Sequence, residues 1–380
     1  MLDQVSGTAT EKDESFIEEA LSLAARALFV SNPNPRVGCV LVSAAGTILG
    51  TGSTQRAGGP HAEVMALREA QQAGHYVHGA TAYVTLEPCS HQGRTGPCCE
   101  ALIRAGIRRV VASLADPNPL VAGQGFERLA AAGVEVLVGP GSAASRDLNI
   151  GFFSRMIRGT PWVRMKAAVS LDGATALANG ASQWITSAAA RADGQAWRAR
   201  ACGVLTGIGT LLEDDPLLNV REVATPRQPH LVIVDSRLQT PLHAKLWQAS
   251  DRSVLIYSAH AEPERSNALQ ALGAEVIDLP NAAGKVDLSA MLRDLGARGI
   301  NELHVEAGHK LNGSLVREGL VDELLLYVAP KLLGAGAQGL AEWGPLQELG
   351  HALSLEFETV EPVGSDLRIV ARVAGRAAFG

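Results

Sequence analysis

Three short runs between residues 61 and 98 constrain this chain more than any other part of it: His61-Ala62-Glu63, Glu87-Pro88-Cys89 and Pro97-Cys98. One imidazole and two thiolates form a donor set for zinc, and a catalytic zinc keeps one of its four positions open for water. His61 and Glu63 open one predicted helix, and Cys98 opens another after Pro97. Positive helix ends stabilise thiolates and anionic oxygen at such a site. Glu63, two residues from His61, sits near the metal without having to bind it. That is the position of a proton carrier between the attacking water and a departing amine. A closed structural site would instead need a fourth ligand, from Cys99 or His91.

Around these runs, apolar periodicity alternates between helical and extended spacing. Phe16, Ala20, Leu23, Ala24 and Ala27 share one face of an opening helix that ends before Asn32-Pro33-Asn34-Pro35. Strands follow at 37–42, 47–49, 81–86, 109–114 and 134–138, with helices at 61–73, 97–105 and 124–131 between them. That order predicts a largely parallel sheet covered on both faces. A second unit begins near Pro161. Its strands are predicted at 162–169, 231–235, 254–257, 303–306, 323–329 and 354–359, with 366–373 closing antiparallel. Its helices are predicted at 188–200, 263–272, 288–297 and 310–318. The 380 residues exceed one ordinary core. The predicted division is a flexible N-terminus at 1–14, one domain at 15–157 and a second at 158–380.

Lys plus Arg against Asp plus Glu is 33 − 39 = −6. An acidic chain gains no global attraction for nucleic acid, which points to a small-molecule substrate. Five cysteines without regular spacing, no secretory signal and no long apolar run suggest a cytoplasmic protein without a membrane span.

His-x-Glu followed by two Pro-Cys steps resembles the signature of zinc deaminases acting on nucleobases. The spacing departs from it, because eight residues separate Cys89 from Cys98. With NPNPRVGCV before it and DPNPLVAGQG after it, the run TLEPCSHQGRTGPCC resembles the deaminase half of the bifunctional riboflavin-biosynthesis deaminase–reductase family, RibD. The resemblance implies that Asn34 holds the pyrimidine edge, and that His91 and Arg94 help to hold substrate, Arg94 at its phosphate. The family usually carries a His seven residues before the ligand His, where this chain has Thr54.

The second half extends the resemblance. VRMKAAVSLDG, ASQWITS, GIGTLLEDDPLLNVR, VIVDSR and VEAGHKLNGSLVREGLVDELLLYVAPKLLG resemble the reductase half of the same family, in order. The implied fold class is α/β: an N-terminal cytidine-deaminase-like α/β/α sandwich plus a C-terminal dihydrofolate-reductase-like α/β domain. The implied cofactors are one Zn2+ per chain and NADPH. By its own pattern the run Gly308, His309, Lys310, Leu311, Asn312, Gly313, Ser314 follows a strand and opens a helix, so its N–H groups can cradle a phosphate. The resemblance adds Ala168, Trp184, Thr210, Asp214 and Ser236 to the cofactor site. It assigns Ser182, Arg198, Leu218, Arg221 and Glu306 to the substrate, the two arginines meeting a sugar phosphate. Trp184 and Leu218 also fit a core. Gly334-Ala335-Gly336-Ala337-Gln338-Gly339 matches the dinucleotide fingerprint by letter, but it lacks the strand–turn–helix context and reads as a flexible loop near the substrate.

The implied function is deamination of a diaminopyrimidinone bearing a ribosyl phosphate, followed by reduction of the ribosyl to a ribityl group. The implied partners are phosphoribosyl pyrimidines and further copies of the chain, as a dimer or tetramer. The alternative is a zinc nucleic-acid base deaminase fused to a reductase-like binding domain.

Overall fold

A computed structural model describes residues 8–90, 96–119 and 121–379. The chain divides into two compact units, 1–158 and 159–380.

The first unit runs α1 (Glu11–Ala25), β1 (Gly38–Val42), β2 (Ile48–Ser53), α2 (Ala62–Gln72), β3 (Thr81–Val84), α3 (Cys98–Arg104), β4 (Arg109–Ala112), α4 (Gln124–Ala131), β5 (Glu135–Val138), α5 (Ser142–Leu148) and α6 (Ile150–Arg158). Helix α1 starts inside the segment expected to be flexible, because Thr10 and Asp13 cap its first turn reciprocally. The strands form one sheet in the order β2-β1-β3-β4-β5. The expectation of a largely parallel sheet is half right. β3, β4 and β5 are mutually parallel, whereas β1 is antiparallel to both β2 and β3. The β1–β2 hairpin joins the sheet through β1, so an antiparallel strand lies inside the sheet.

Both faces are covered. Ile17, Ala20 and Leu23 of α1 pack on Val40 and Val42 of β1, and α2 lies on the opposite face. Glycines make that second contact possible: a Cβ on Gly52 would lie 2.1 Å from the Ala62 carbonyl oxygen, and one on Gly50 2.3 Å from that of Ala66.

The second unit runs β6 (Trp162–Ser170), β7 (Ala174–Ala176), α7 (Ala188–Arg200), β8 (Gly203–Gly207), α8 (Ile208–Asp214), β9 (His230–Val234), β10 (Val254–Ser258), α9 (Pro263–Ala271), β11 (Ala274–Asp278), α10 (Leu288–Ala297), β12 (Glu302–Val305), α11 (His309–Arg317), β13 (Glu323–Ala329), β14 (Gln338–Gly339), β15 (Leu355–Val363) and β16 (Asp366–Val373). The main sheet has nine strands, in the order β11-β10-β9-β8-β12-β6-β13-β16-β15. It is parallel from β11 through β13, and β16 is antiparallel to β13 as expected. Strands β8 and β11 escaped the periodicity reading. Ion pairs stitch the sheet centre: fully buried Arg164 lies between Glu302 (2.8 Å) and Glu323, which Arg200 and Arg372 also reach.

The strand order reverses between β8 and β12. Chain growth runs outward from β8 to β11, then crosses back to place β12 on the other side of β8. Such a reversal opens a crevice at the carboxyl ends of the strands, where α/β sheets bind ligands. The Gly334–Gly339 run turns into the two-residue β14, which pairs with β7. Among the described residues no α-helix follows it, so it is not a dinucleotide turn.

Candidate active sites

His61 is the N-cap residue of α2, Glu63 lies in that helix's first turn, and Cys98 opens α3 directly after Pro97. Cys89 lies in the turn that leaves β3. The His61 Nδ1 atom is 3.5 Å from Cys89 Sγ and 3.3 Å from Cys98 Sγ. All three ligand atoms lie within 4.8 Å of one another. Zinc bonds of about 2.0–2.1 Å to nitrogen and about 2.3 Å to sulfur, at a tetrahedral angle, separate N from S by about 3.5 Å. The donor set therefore fits zinc in chemistry and in spacing. Cys99 is buried but stands outside the cluster, so the described residues supply three ligands rather than four.

The electrostatics of the cluster suit proton transfer. Burial, reinforced by the Cys89 sulfur, pushes Glu63 up to about 7, the range in which a carboxyl can both take and give a proton. A hydrogen bond with the Cys98 thiol draws Cys89 down to about 4, and the same bond pushes Cys98 up. The backbone N–H of Cys98 also donates to Cys89 Sγ (3.4 Å).

The substrate residues expected in this unit fare unevenly. Asn34 lies half-buried in the turn between α1 and β1, its N–H donating to the Ser31 carbonyl (2.8 Å). His91 and Arg94 lie outside the described residues. Thr54 is 4% exposed, and its hydroxyl accepts from the Val37 N–H (3.1 Å). Where a histidine was expected, this chain therefore has a hydroxyl bound to the backbone just before β1, at the end of the β1–β2 hairpin.

In the second unit, a cavity of about 780 Å³ opens at the strand-order reversal. Thr210, Ser236, Gly308, His309, Lys310, Leu311 and Ser314 of the expected cofactor set line it. The remaining members do not. Asn312 is buried with its amide on the Leu340 carbonyl (3.1 Å), and Gly313 packs under the Glu342 backbone. Asp214 meets Gln183 (3.4 Å), and the exposed Trp184 ring lies 4.4 Å from the Arg191 guanidinium. Ala168 sits half-buried on β6. Among the wall residues missed from sequence are Arg237, Lys285 and Gln239.

Beside the cavity, Glu306 follows β12 and is gripped by Arg198, through Nε (2.7 Å) and Nη2 (2.9 Å). Arg198 Nη1 donates to the Asn219 carbonyl (2.6 Å). The Arg198 guanidinium is thus committed within the protein, while Arg221 is exposed with Glu222 4.0 Å away. Ser182 is half-buried in the loop before α7. Leu218 is 5% exposed inside a core cluster, at a positive φ of 49°. Its carbonyl, accepting from Arg252 (2.6 Å), faces polar company while its side chain does not. Lys166, on β6, was also missed. Burial lowers its pKa, Glu306 opposes that shift, and Arg198 adds to it.

Two family models match. The "Cytidine and deoxycytidylate deaminase zinc-binding region" covers residues 10–114, and the "RibD C-terminal domain" covers residues 161–369. The riboflavin biosynthesis protein RibD of Escherichia coli is 45% identical over 369 residues, which span 94% of this chain and 98% of that protein. The chain belongs to the RibD family. RibD of Aquifex aeolicus is 40% identical over 94% of this chain and 98% of its own length. Among solved structures, Acinetobacter baumannii RibD superposes with a TM-score of 0.87 at 40% identity, covering 96% of this chain and 99% of that one. A Thermotoga maritima protein described as a diaminohydroxyphosphoribosylaminopyrimidine deaminase/5-amino-6-(5-phosphoribosylamino)uracil reductase superposes with a TM-score of 0.84 at 30% identity, with the same coverage. The first unit is the family's deaminase domain and the second its reductase domain, both α/β as expected. Among the described residues, no helix is long and apolar enough to cross a membrane.

Proposed function

We propose that the protein catalyses two consecutive steps of riboflavin biosynthesis. The first is hydrolytic deamination of 2,5-diamino-6-(5-phosphoribosylamino)pyrimidin-4-one. The second is NADPH-dependent reduction of the ribosyl group to ribityl, giving 5-amino-6-(5-phosphoribitylamino)uracil. We assign residues 15–157 to the first reaction and 158–380 to the second. The observation that carries the first step is the three-donor cluster with Glu63 buried beside it.

In the deaminase site, His61, Cys89 and Cys98 would hold one zinc per chain. When bound, zinc supplies a Lewis acid that makes water a nucleophile near neutral pH. Glu63 takes the proton from the attacking water and gives it to the departing amine as ammonia. Asn34, His91 and Arg94 are the proposed substrate contacts.

In the reductase site, the proposed cofactor contacts are Ala168, Trp184, Thr210, Asp214, Ser236 and residues 308–314. When bound, NADPH supplies the hydride. The phosphorylated dinucleotide is favoured because Arg237, Lys285 and Lys310 line the cavity as cations, together with the hydroxyls of Thr210, Ser236 and Ser314. Ser182, Arg198, Leu218, Arg221 and Glu306 are the proposed substrate contacts, Leu218 through its backbone. Lys166, its pKa lowered by burial next to Glu306, is the group able to hand a proton to the reduced substrate.

The five cysteines are unpaired, which fits a reducing cytoplasm, and a homodimer or tetramer is the proposed assembly. Matching relatives span both units with one family, which favours two activities over a deaminase joined to a binding module. Chelation tests the assignment. Removing the metal should abolish ammonia release and leave reduction of the deaminated substrate intact, with zinc restoring the former. Ammonia release that survives complete removal of zinc would overturn it.

A further inference from the structure

The DPNPLVAGQG run, notable in sequence, has no place in the chemistry described so far. The structure ties it to one side chain. Glu87 is 3% exposed and precedes the ligand Cys89 by two residues. Its Oε2 accepts the backbone N–H groups of Asp116 (3.1 Å) and Gly123 (2.9 Å), and its Oε1 accepts that of Gly125 (2.8 Å). A single carboxylate therefore gathers two amides from the turn between β4 and α4 and one from the first turn of α4. The contact is close as well as polar: a Cβ on Gly125 would lie 2.1 Å from the Pro88 carbonyl oxygen. Asp116 continues the order outward by accepting the Asn118 N–H (2.8 Å).

Topology says what such a clamp serves. β3 and β4 are adjacent and parallel, so the turn bearing Cys89 and the turn bearing residues 116–119 leave the same carboxyl edge side by side. That edge is where open α/β sheets receive ligands. We propose that Glu87 is a positioning residue of the deaminase, fixing residues 116–119 against the metal-ligand turn as a wall of the pyrimidine site. This rests on the deaminase reading above. The carboxylate touches neither metal nor substrate. It acts through the backbone it holds, so its loss should weaken substrate binding more than the proton transfers at Glu63.

The test uses the full-length, zinc-loaded enzyme. In Glu87→Gln an amide N–H2 replaces one acceptor oxygen and faces backbone donors. The KM for the diaminopyrimidine should rise about tenfold, the size of one lost charge-assisted hydrogen bond, while kcat, zinc content and the reductase rate stay near wild type. Glu87→Asp, which keeps both acceptor oxygens, should recover part of the loss. Gly125→Ala keeps the carboxylate's charge but crowds the Pro88 carbonyl oxygen and the Glu87 Oε1 (3.1 Å), so it displaces the same turn and should give the same KM signature. The proposal is overturned if KM stays unchanged in both Glu87→Gln and Gly125→Ala, if activity falls only in step with lost zinc, or if both variants fail to fold. A wild-type enzyme that releases no ammonia would instead overturn the deaminase reading, and this inference with it.

Discussion

Replacing Arg198 by Met isolates the most strongly paired charge in the proposed reductase site. The change removes two hydrogen bonds to Glu306 (2.7 and 2.9 Å) and one to the Asn219 carbonyl (2.6 Å). The two side chains are 11% and 16% exposed, so the pair is largely withdrawn from water. Stranding one partner of a buried pair costs about 3–5 kcal/mol, and the lower end applies here because Lys166 remains beside Glu306. A loss of about 3 kcal/mol in a unit of this size lowers its melting temperature by about 6–12 °C.

The pH dependence has a definite sign. Burial by itself would raise the Glu306 pKa, but the Arg198 guanidinium overrides it and holds the carboxyl well below the usual range. Stabilisation from a depressed carboxyl is full above its unfolded pKa of about 4.3 and is lost as the pH falls toward the folded value. Without Arg198 the carboxyl protonates more readily, so the deficit of the variant should shrink as the pH drops from about 8 toward about 5. Calorimetry of the full chain across that range reads both effects. Adding Glu306→Gln to Arg198→Met should restore part of the loss, because the stranded carboxylate is gone and Lys166, whose pKa burial already lowers, can shed its proton. If the second substitution adds its own penalty, or if the deficit is independent of pH, the pairing account is wrong.

Glu63→Gln should lower the deaminase kcat by about 10²–10⁴-fold while zinc stays bound, as metal analysis beside ammonia release would show. Gly52→Ala forces a methyl against the Ala62 carbonyl and displaces the start of α2. It should cost about 1–3 kcal/mol of stability and weaken zinc binding, measurable by denaturant melts and chelator competition. Arg237→Ala combined with Lys285→Ala should weaken NADPH about tenfold or more and leave NADH nearly unaffected, as direct titration would report. An equal loss for both dinucleotides would remove those cations from recognition of the extra phosphate.

What was legible in the sequence followed from chemistry and period. The zinc donors announced themselves because few residue types bind zinc, and α7, α10, β13 and β16 because their patterns are long and clearly bounded. Strand β8 did not. Gly203–Gly207 is short, flanked by glycine and buried at four of its five positions, so it shows no alternation. The antiparallel place of β1 was hidden because nothing local says that β3 joins the hairpin at β1 rather than β2. Glu87 and Lys166 were invisible for a common reason. The partners of Glu87 are backbone amides 29 to 38 residues away, and Lys166 owes its lowered pKa to burial in the folded unit, reinforced by Arg198 on another element. Thr54 shows the converse: sequence marked a missing histidine, and the fold shows a hydroxyl bound to the Val37 N–H, just before β1.

The central claim is that one chain performs a zinc-dependent deamination and then a dinucleotide-dependent reduction. The most direct measurement supplies the purified chain with the diaminopyrimidinone ribosyl phosphate and NADPH, and follows ammonia, NADPH and product mass in one vessel. The account predicts one ammonia released and one NADPH consumed per molecule of ribitylaminouracil phosphate, with ammonia appearing even when NADPH is withheld. Reduction without prior deamination, or ammonia release that requires NADPH, would contradict it.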